Sequence, residues 1–292
     1  MTSTNTNETR FSVSAGDDHA IECYAWATPA VPRGVVQLVH GMSEHIRRYR
    51  HVAQALAVQG YAVYGSEHRG HGQSAFDAGT AGDFGTRGFA ALVDDMATVT
   101  RALRERHPGL PVTMVAHSMG SMAAQVYLIE HSALLDALAL SGTAALEMLD
   151  VRTSGWTPVT ANASTGPNPA TPADWLSRDP AVPAAFLADP LCGTPLTLPS
   201  LFSLFEVGNC TANTAVYAAV RKNLPLFLFT GDHDPVNANL AWFDPLVQRL
   251  RAAGFSDLST HVYGGARHEV FNETNREEVI ANLAVWIRRA VG

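Results

Sequence analysis

A serine flanked by small residues stands at Ala116-His117-Ser118-Met119-Gly120. The spacing matches the nucleophile turn Gly-x-Ser-x-Gly, with alanine in the first glycine slot. A serine hydroxyl is a poor nucleophile at neutral pH. It needs an imidazole within hydrogen-bond reach, a carboxylate to orient that imidazole, and N–H donors for the developing oxyanion. The residues two before and two after the serine must be small, because strand and helix meet there in a tight turn. Gly120 meets that need, and the methyl of Ala116 is tolerable. Downstream, Thr230-Gly231-Asp232-His233-Asp234 offers two aspartates that compete for the acid role, and His268 offers the base. Ser, Asp and His in this order, each just past an apolar run, is the order needed if one sheet carries all three. The oxyanion donors would be the N–H of Met119, directly after the serine, and that of Met42, in the turn after His40-Gly41. Singly, the aspartates read as turn residues and His268 as an exposed loop histidine. Together they point to acyl transfer on Ser118, at a rate that rises through roughly pH 6–7 as His268 loses its proton.

Such a site needs strands that end together. Short apolar runs at Gly34–Val39, Tyr61–Tyr64, Val112–Val115, Leu135–Leu140, Leu224–Phe229 and Thr260–Tyr263 read as strands. Helical periodicity runs through Val52–Ala57, Phe89–His107, Ser121–His131, Asn239–Gly254 and Glu277–Val291. This alternation predicts an α/β fold with a mostly parallel sheet and helices on both faces. Phe11 to Thr28 alternates around Gly16-Asp17-Asp18 and predicts an N-terminal antiparallel hairpin. Residues 1–10 read as a disordered tail without the apolar stretch of a signal peptide.

The rhythm stops between about Ala145 and Asn223. Residues 153–174 are rich in Pro, Thr, Ser and Asn, and residues 175–206 are apolar and punctuated by proline. The segment reads as an insertion of loop and short helices. Residues 1–145 and 223–292 would then be the core and 146–222 the cap. Most of the cap's apolar side chains would form a small core of its own, with a minority meeting the substrate.

Several of these stretches resemble one family. His40-Gly41-Met42-Ser43-Glu44-His45, His68-Arg69-Gly70-His71-Gly72-Gln73-Ser74, His117-Ser118-Met119-Gly120 and Gly231-Asp232-His233-Asp234 are similar to motifs of the monoacylglycerol lipase and lysophospholipase-like branch of the α/β-hydrolases. So are Tyr263 with Ala266-Arg267-His268, and Leu176-Ser177-Arg178-Asp179-Pro180 within the cap. The resemblance implies an α/β-hydrolase core with a mainly helical cap between the sixth and seventh strands. It places the acid on Asp234, and it implies cleavage of carboxylic esters, monoacylglycerol-like or medium-chain, without a cofactor. The family usually has glycine where Ala116 and Ser121 stand.

Other readings fit less well. Gly70-His71-Gly72-Gln73-Ser74-Ala75 matches a dinucleotide fingerprint, but no amphipathic helix follows it. The histidines at 40, 45, 68 and 71 lack the spacing of a metal site and read as loop anchors. Aminopeptidase or C–C hydrolase chemistry and a non-catalytic ligand-binding role are the alternatives on the same fold. Glu44 would pair with an arginine or face water. The net charge of −7 and the lack of a long basic stretch give nucleic-acid binding little support. Lys222 is the only lysine, which disfavours Schiff-base chemistry. Cys23, Cys192 and Cys210 form no Cys-x-x-Cys pair and read as reduced thiols in a cytoplasmic protein. No apolar run is long enough to span a bilayer, so lipid contact would be transient and made through the cap.

Overall fold

The structure is a computed structural model and describes residues 8–292 apart from 164, 166 and 167. Residues 1–7 of the expected tail lie outside the described residues. Residues 8–10 already belong to the first strand, where Glu8 takes the guanidinium of Arg50 and the indole N–H of Trp26.

Eight strands form one sheet: β1 (Glu8–Ser14), β2 (Ala20–Trp26), β3 (Gly34–Val39), β4 (Tyr61–Ser66), β5 (Val112–His117), β6 (Ala137–Ser141), β7 (Leu226–Gly231) and β8 (Leu258–Tyr263), in the order 1-2-4-3-5-6-7-8. The β1–β2 hairpin and the β2–β4 pair are antiparallel. All other pairs are parallel. Strands β3 to β7 are buried along their whole length, as apolar runs covered on both faces must be. The helices α1 (Arg50–Val58), α2 (Gly72–Ala78), α3 (Gly88–Arg106) and α4 (Met119–Glu130) precede β6. The short helix α2 was not legible as a helix in the sequence.

Two apolar layers result. On one face Leu92, Met96 and Val99 of α3 and Met122 and Val126 of α4 meet Val35, Met114 and Leu138. On the other, Val52 and Leu56 of α1 meet Val36, Phe227 and Phe229, together with Val279, Leu283 and Ile287 from the C-terminal helix. Each such side chain contributes roughly 1.5–3 kcal/mol when fully buried. Gln37 interrupts this core, and its needs are met: it donates to the Met96 carbonyl at 3.1 Å and accepts from Thr100 Oγ1 at 2.7 Å.

Between β6 and β7 the chain forms α5 (Leu146–Leu149), α6 (Val151–Ser154), α7 (Pro158–Ala163), α8 (Ala181–Ala188) and α9 (Leu198–Gly208), joined by turns. Their buried apolar residues do not form a separate core. Leu204 and Phe205 of α9, with Leu196, Tyr217 and Val220, share the layer of α3 and α4. Ser200 and Ser203 of α9 also accept from the N–H groups of Phe84 and Phe89. Helices this short cannot enclose a core, so they bury their apolar faces against the sheet's own helices.

After β7 come α10 (Phe243–Ala252) and α11 (Arg276–Val291). Helix α10 starts four residues later than the periodicity suggested. Ala238, Asn239 and Leu240 all have positive φ (53°, 52° and 79°) and form a left-handed turn instead. Among the described residues, no helix is long and apolar enough to cross a membrane.

Candidate active site

Ser118 sits between the end of β5 and the start of α4, with φ 53° and ψ −126°. This backbone state is costly for any side chain and persists only when its surroundings hold it. Here the Ser118 N–H donates to the Ser141 carbonyl at 2.9 Å. The Ser118 carbonyl accepts from Ser121 Oγ at 2.6 Å and from the Met122 N–H at 3.0 Å. A Cβ on Gly120 would stand 2.8 Å from Val39 Cγ1 and nearer still to the His40 carbonyl, so only glycine fits there. Ala116 is fully buried, in register with Val39 and Leu140. Its methyl is accommodated in the sheet.

His268 follows β8 and Asp234 follows β7. His268 Nε2 lies 2.8 Å from Ser118 Oγ, and its Nδ1 lies 3.0 Å from each Asp234 oxygen. The three side chains therefore form one line over 150 residues of chain. Asp232, the competing aspartate, points elsewhere: it accepts from His233 Nδ1 at 2.7 Å and the Gly265 N–H at 2.6 Å. Asp234 is fully buried and held by Thr230 Oγ1, the Val236 N–H and Asn237 Nδ2. His268 is buried rather than exposed. Burial works against its charged form, but the Asp234 carboxylate, with Glu269 and Glu44 behind it, outweighs burial and raises its pKa above 6.5.

The loop after β3 lies against Ser118: a Cβ on Gly41 would stand 3.0 Å from Ser118 Cβ. Glu44 shapes this loop. It is buried, accepts from the Gly41 N–H at 2.6 Å and Tyr49 Oη at 2.7 Å, and pairs with Arg48 at 2.6 Å. Arg48 also makes a two-pronged contact with Glu269, at 2.6 and 2.8 Å. Burial raises the carboxyl of Glu269, but the Arg48 guanidinium outweighs it and holds it below its ordinary range. Among the described residues, neither the Met42 nor the Met119 N–H meets a backbone or side-chain acceptor.

The histidines are the loop anchors the sequence suggested. His40 Nε2 accepts from the His68 N–H at 3.0 Å, and His71 Nε2 accepts from the Ser43 N–H at 3.1 Å. Burial lowers their pKa values, to about 4 for His40 and about 3 for His71, which keeps both nitrogens free to accept. Glu44, Arg48, Tyr49, Glu269 and Asn237 support the site without having been singled out as its members. The Glu44–Arg48 spacing of four on a turn was the one sequence signal for them. The Gly70–Ala75 fingerprint is spent on a tight turn and α2.

Among the described residues, His45, Asp189 and Cys192 bring potential metal-ligand atoms within 4.8 Å of one another. His45 Nε2 is already bonded to Asp189 at 2.9 Å, and burial pushes the Cys192 thiol up to about 12. A metal would have to break the first contact and displace the thiol proton. All three cysteines are free.

A mostly parallel, doubly covered sheet, with a strained serine after β5 and its partners after β7 and β8, defines an α/β-hydrolase. The family model described as serine aminopeptidase, S33, matches residues 30–275, and the chain belongs to that family. Monoacylglycerol lipase of Mycolicibacterium smegmatis is 32% identical over 270 residues, 90% of each chain. A thermostable carboxyl esterase from Bacillus coagulans, solved with glycerol, superposes with a TM-score of 0.87 at 29% identity, over 98% of this chain and 99% of that one. A soluble variant of monoglyceride lipase from Saccharomyces cerevisiae, solved with a substrate analog, shares the fold. Its TM-score is 0.77 at 21% identity, over 100% of this chain and 98% of the other. The chain is thus a hydrolase of the esterase and lipase kind.

Proposed function

We propose that the protein hydrolyses monoacylglycerol-like or other medium-chain carboxylic esters through an acyl-enzyme on Ser118. The observation that carries this reading is the continuous hydrogen-bonded line Ser118–His268–Asp234. Ser118 Oγ attacks the ester carbonyl as His268 Nε2 takes its proton. The Met42 and Met119 N–H groups receive the negative charge on the carbonyl oxygen, a contribution of about 3 kcal/mol per donor in the transition state. Asp234 stabilises the imidazolium, which then protonates the leaving alkoxide. Water repeats the sequence on the acyl-enzyme. No step in this sequence calls for a cofactor.

An ester fits better than a peptide with a free ammonium end. Such a substrate needs an unspent carboxylate near the serine, and most of the cap's acids are engaged: Glu147 with Arg249, Asp150 with Arg152, Asp179 with Arg276 and Asp189 with His45, while Glu206 is exposed. Asp174 caps the Ala170 and Thr171 N–H groups. Near the serine, Glu44 and Glu269 are both paired with Arg48, and Glu44 also accepts from the Gly41 N–H and Tyr49 Oη. We take residues 146–222 as the cap. Its exposed Met148, Val159, Leu187, Leu198 and Phe202 suit brief contact with a lipid surface. The free thiols suit the cytoplasm.

The test is a fluorophosphonate probe with wild type and S118A, followed by p-nitrophenyl esters of two to sixteen carbons, monoacylglycerols and an aminoacyl anilide. Labelling at Ser118 and cleavage of the esters but not the anilide are expected. Folded protein that resists the probe would point to a ligand-binding role, and preference for the anilide to an aminopeptidase.

A further inference from the structure

One cap segment is fastened along the histidine loop. The Arg267 guanidinium donates to the carbonyls of Asp174 and Ser177. The His268 N–H donates to the Trp175 carbonyl at 3.4 Å and the Glu269 N–H to the Leu176 carbonyl at 2.8 Å. Ser177 Oγ donates to the Asn272 carbonyl, and Arg178 pairs with Glu273. The consequence concerns the side chain in the middle of this lacing. The indole of Trp175 packs against the His268 imidazole, ring centroids 5.3 Å apart and planes 33° from parallel. The ring of Trp175 is in turn braced by Trp156, edge to face at 6.0 Å, and the Trp175 backbone N–H donates to Asn162 Oδ1 at 3.2 Å.

An indole face carries partial negative charge and attracts a cation within about 6 Å of its centre. His268 becomes a cation in each half of the reaction proposed above. We infer that Trp175 is a positioning residue for His268: its ring holds the imidazole in the Ser118–Asp234 line and stabilises the imidazolium formed during catalysis. The inference rests on that reading of Ser118, His268 and Asp234. Among the described residues, the other ring in contact with His268 does not do the same work. The His117 ring lies 4.8 Å away at 47°, is itself buried and kept neutral, and its Nδ1 is bonded to Ser141 Oγ at 3.1 Å. The other groups that bear on His268 are Asp234, Glu269, Glu44 and, near His117, Arg48. None of these changes when the indole is replaced. The carbonyl that accepts from the His268 N–H belongs to the backbone, so substitution at 175 removes the ring and leaves the lacing.

The experiment compares wild type with W175L, which keeps apolar bulk without a π face, and W175F, which keeps a smaller face. Expected for W175L is a fall in kcat of about tenfold with KM changed less than about twofold, and a lower apparent pKa on the acidic limb of kcat/KM by about half a unit. W175F should recover part of both. Intrinsic fluorescence gives a second readout in unreacted protein. An imidazolium quenches an indole it touches, so wild-type emission should rise with pH through the His268 pKa. W175F and H268A should both lose that transition. An unchanged acidic limb and kcat in folded W175L would overturn the inference. So would a wild-type fluorescence transition that survives in H268A. Because the fluorescence measurement needs no turnover, it separates failure here from failure of Ser118 as the nucleophile.

Discussion

The contacts of Ser118, His268 and the two aspartates differ atom by atom. Asp232 and Asp234 are two residues apart, yet only Asp234 reaches His268. D234N should therefore lower kcat by about 10³–10⁴-fold, while D232N should stay within a few-fold of wild type. Steady-state ester hydrolysis of the two variants side by side checks this. Because Asp234 raises the His268 pKa, the acidic limb of the wild-type rate profile should have its midpoint above 6.5. A pH–kcat/KM profile with a midpoint well below that value would contradict the pairing. Ser121, where the family usually has glycine, returns a hydrogen bond to the Ser118 carbonyl. S121G should lose about 0.5–1.5 kcal/mol of stability, read from denaturant midpoints.

At the scale of elements, residues 146–222 are joined to the sheet's own helices and loops rather than set apart from them. Helix α9 completes the layer of α3 and α4, and the 174–178 segment runs along the histidine loop. Glu273 anchors that segment. It is fully buried and accepts from Arg178 Nε at 2.9 Å, the Arg178 N–H at 3.1 Å and the Arg267 N–H at 2.8 Å. R178A leaves the backbone donors but removes the guanidinium, and should cost about 1–3 kcal/mol. Hydrogen exchange of the 265–275 loop in R178A is the measurement. Faster exchange confined to that loop and residues 174–179 is expected, whereas unchanged exchange would show that the segment does not depend on the pair.

For the molecule as a whole, one buried group works against stability at alkaline pH. Glu67 is buried beside His40, accepts among the described residues only from the Ile46 N–H at 3.2 Å, and burial pushes its carboxyl up to about 7 from an ordinary 4.5. A raised carboxyl favours folding below the unfolded value of about 4.5, and that contribution is lost as pH climbs toward about 7. E67Q has no charge to bury. It should be more stable than wild type by about 1–3 kcal/mol at pH 8, with the difference shrinking toward pH 5. Thermal unfolding at the two pH values reads this, and a pH-independent difference would assign the effect to packing instead.

Much of this was legible because it is local. The strands β3 to β7 announce themselves as apolar runs, the turns that carry Ser118 and Asp234 follow from the ends of β5 and β7, and the loop that carries His268 follows the short run of β8. Chain order alone therefore placed serine, acid and histidine at one edge of a parallel sheet. Other features depend on partners far away in the chain. The left-handed turn at Ala238–Leu240 replaced the first turn of α10 because the Asn239 and Trp242 N–H groups bond back to the Asp234 and Asn237 carbonyls. Residues 146–222 lack the separate core expected of them because their short helices bury against α3 and α4. By itself the sequence determined which residue types stand at which strand ends, because hydrophobic periodicity is a property of neighbours. Only the tertiary structure put Asp234 rather than Asp232 beside His268, brought Arg48 between Glu44 and Glu269, and set an indole against His268, because those contacts join segments that the sequence keeps up to 221 residues apart.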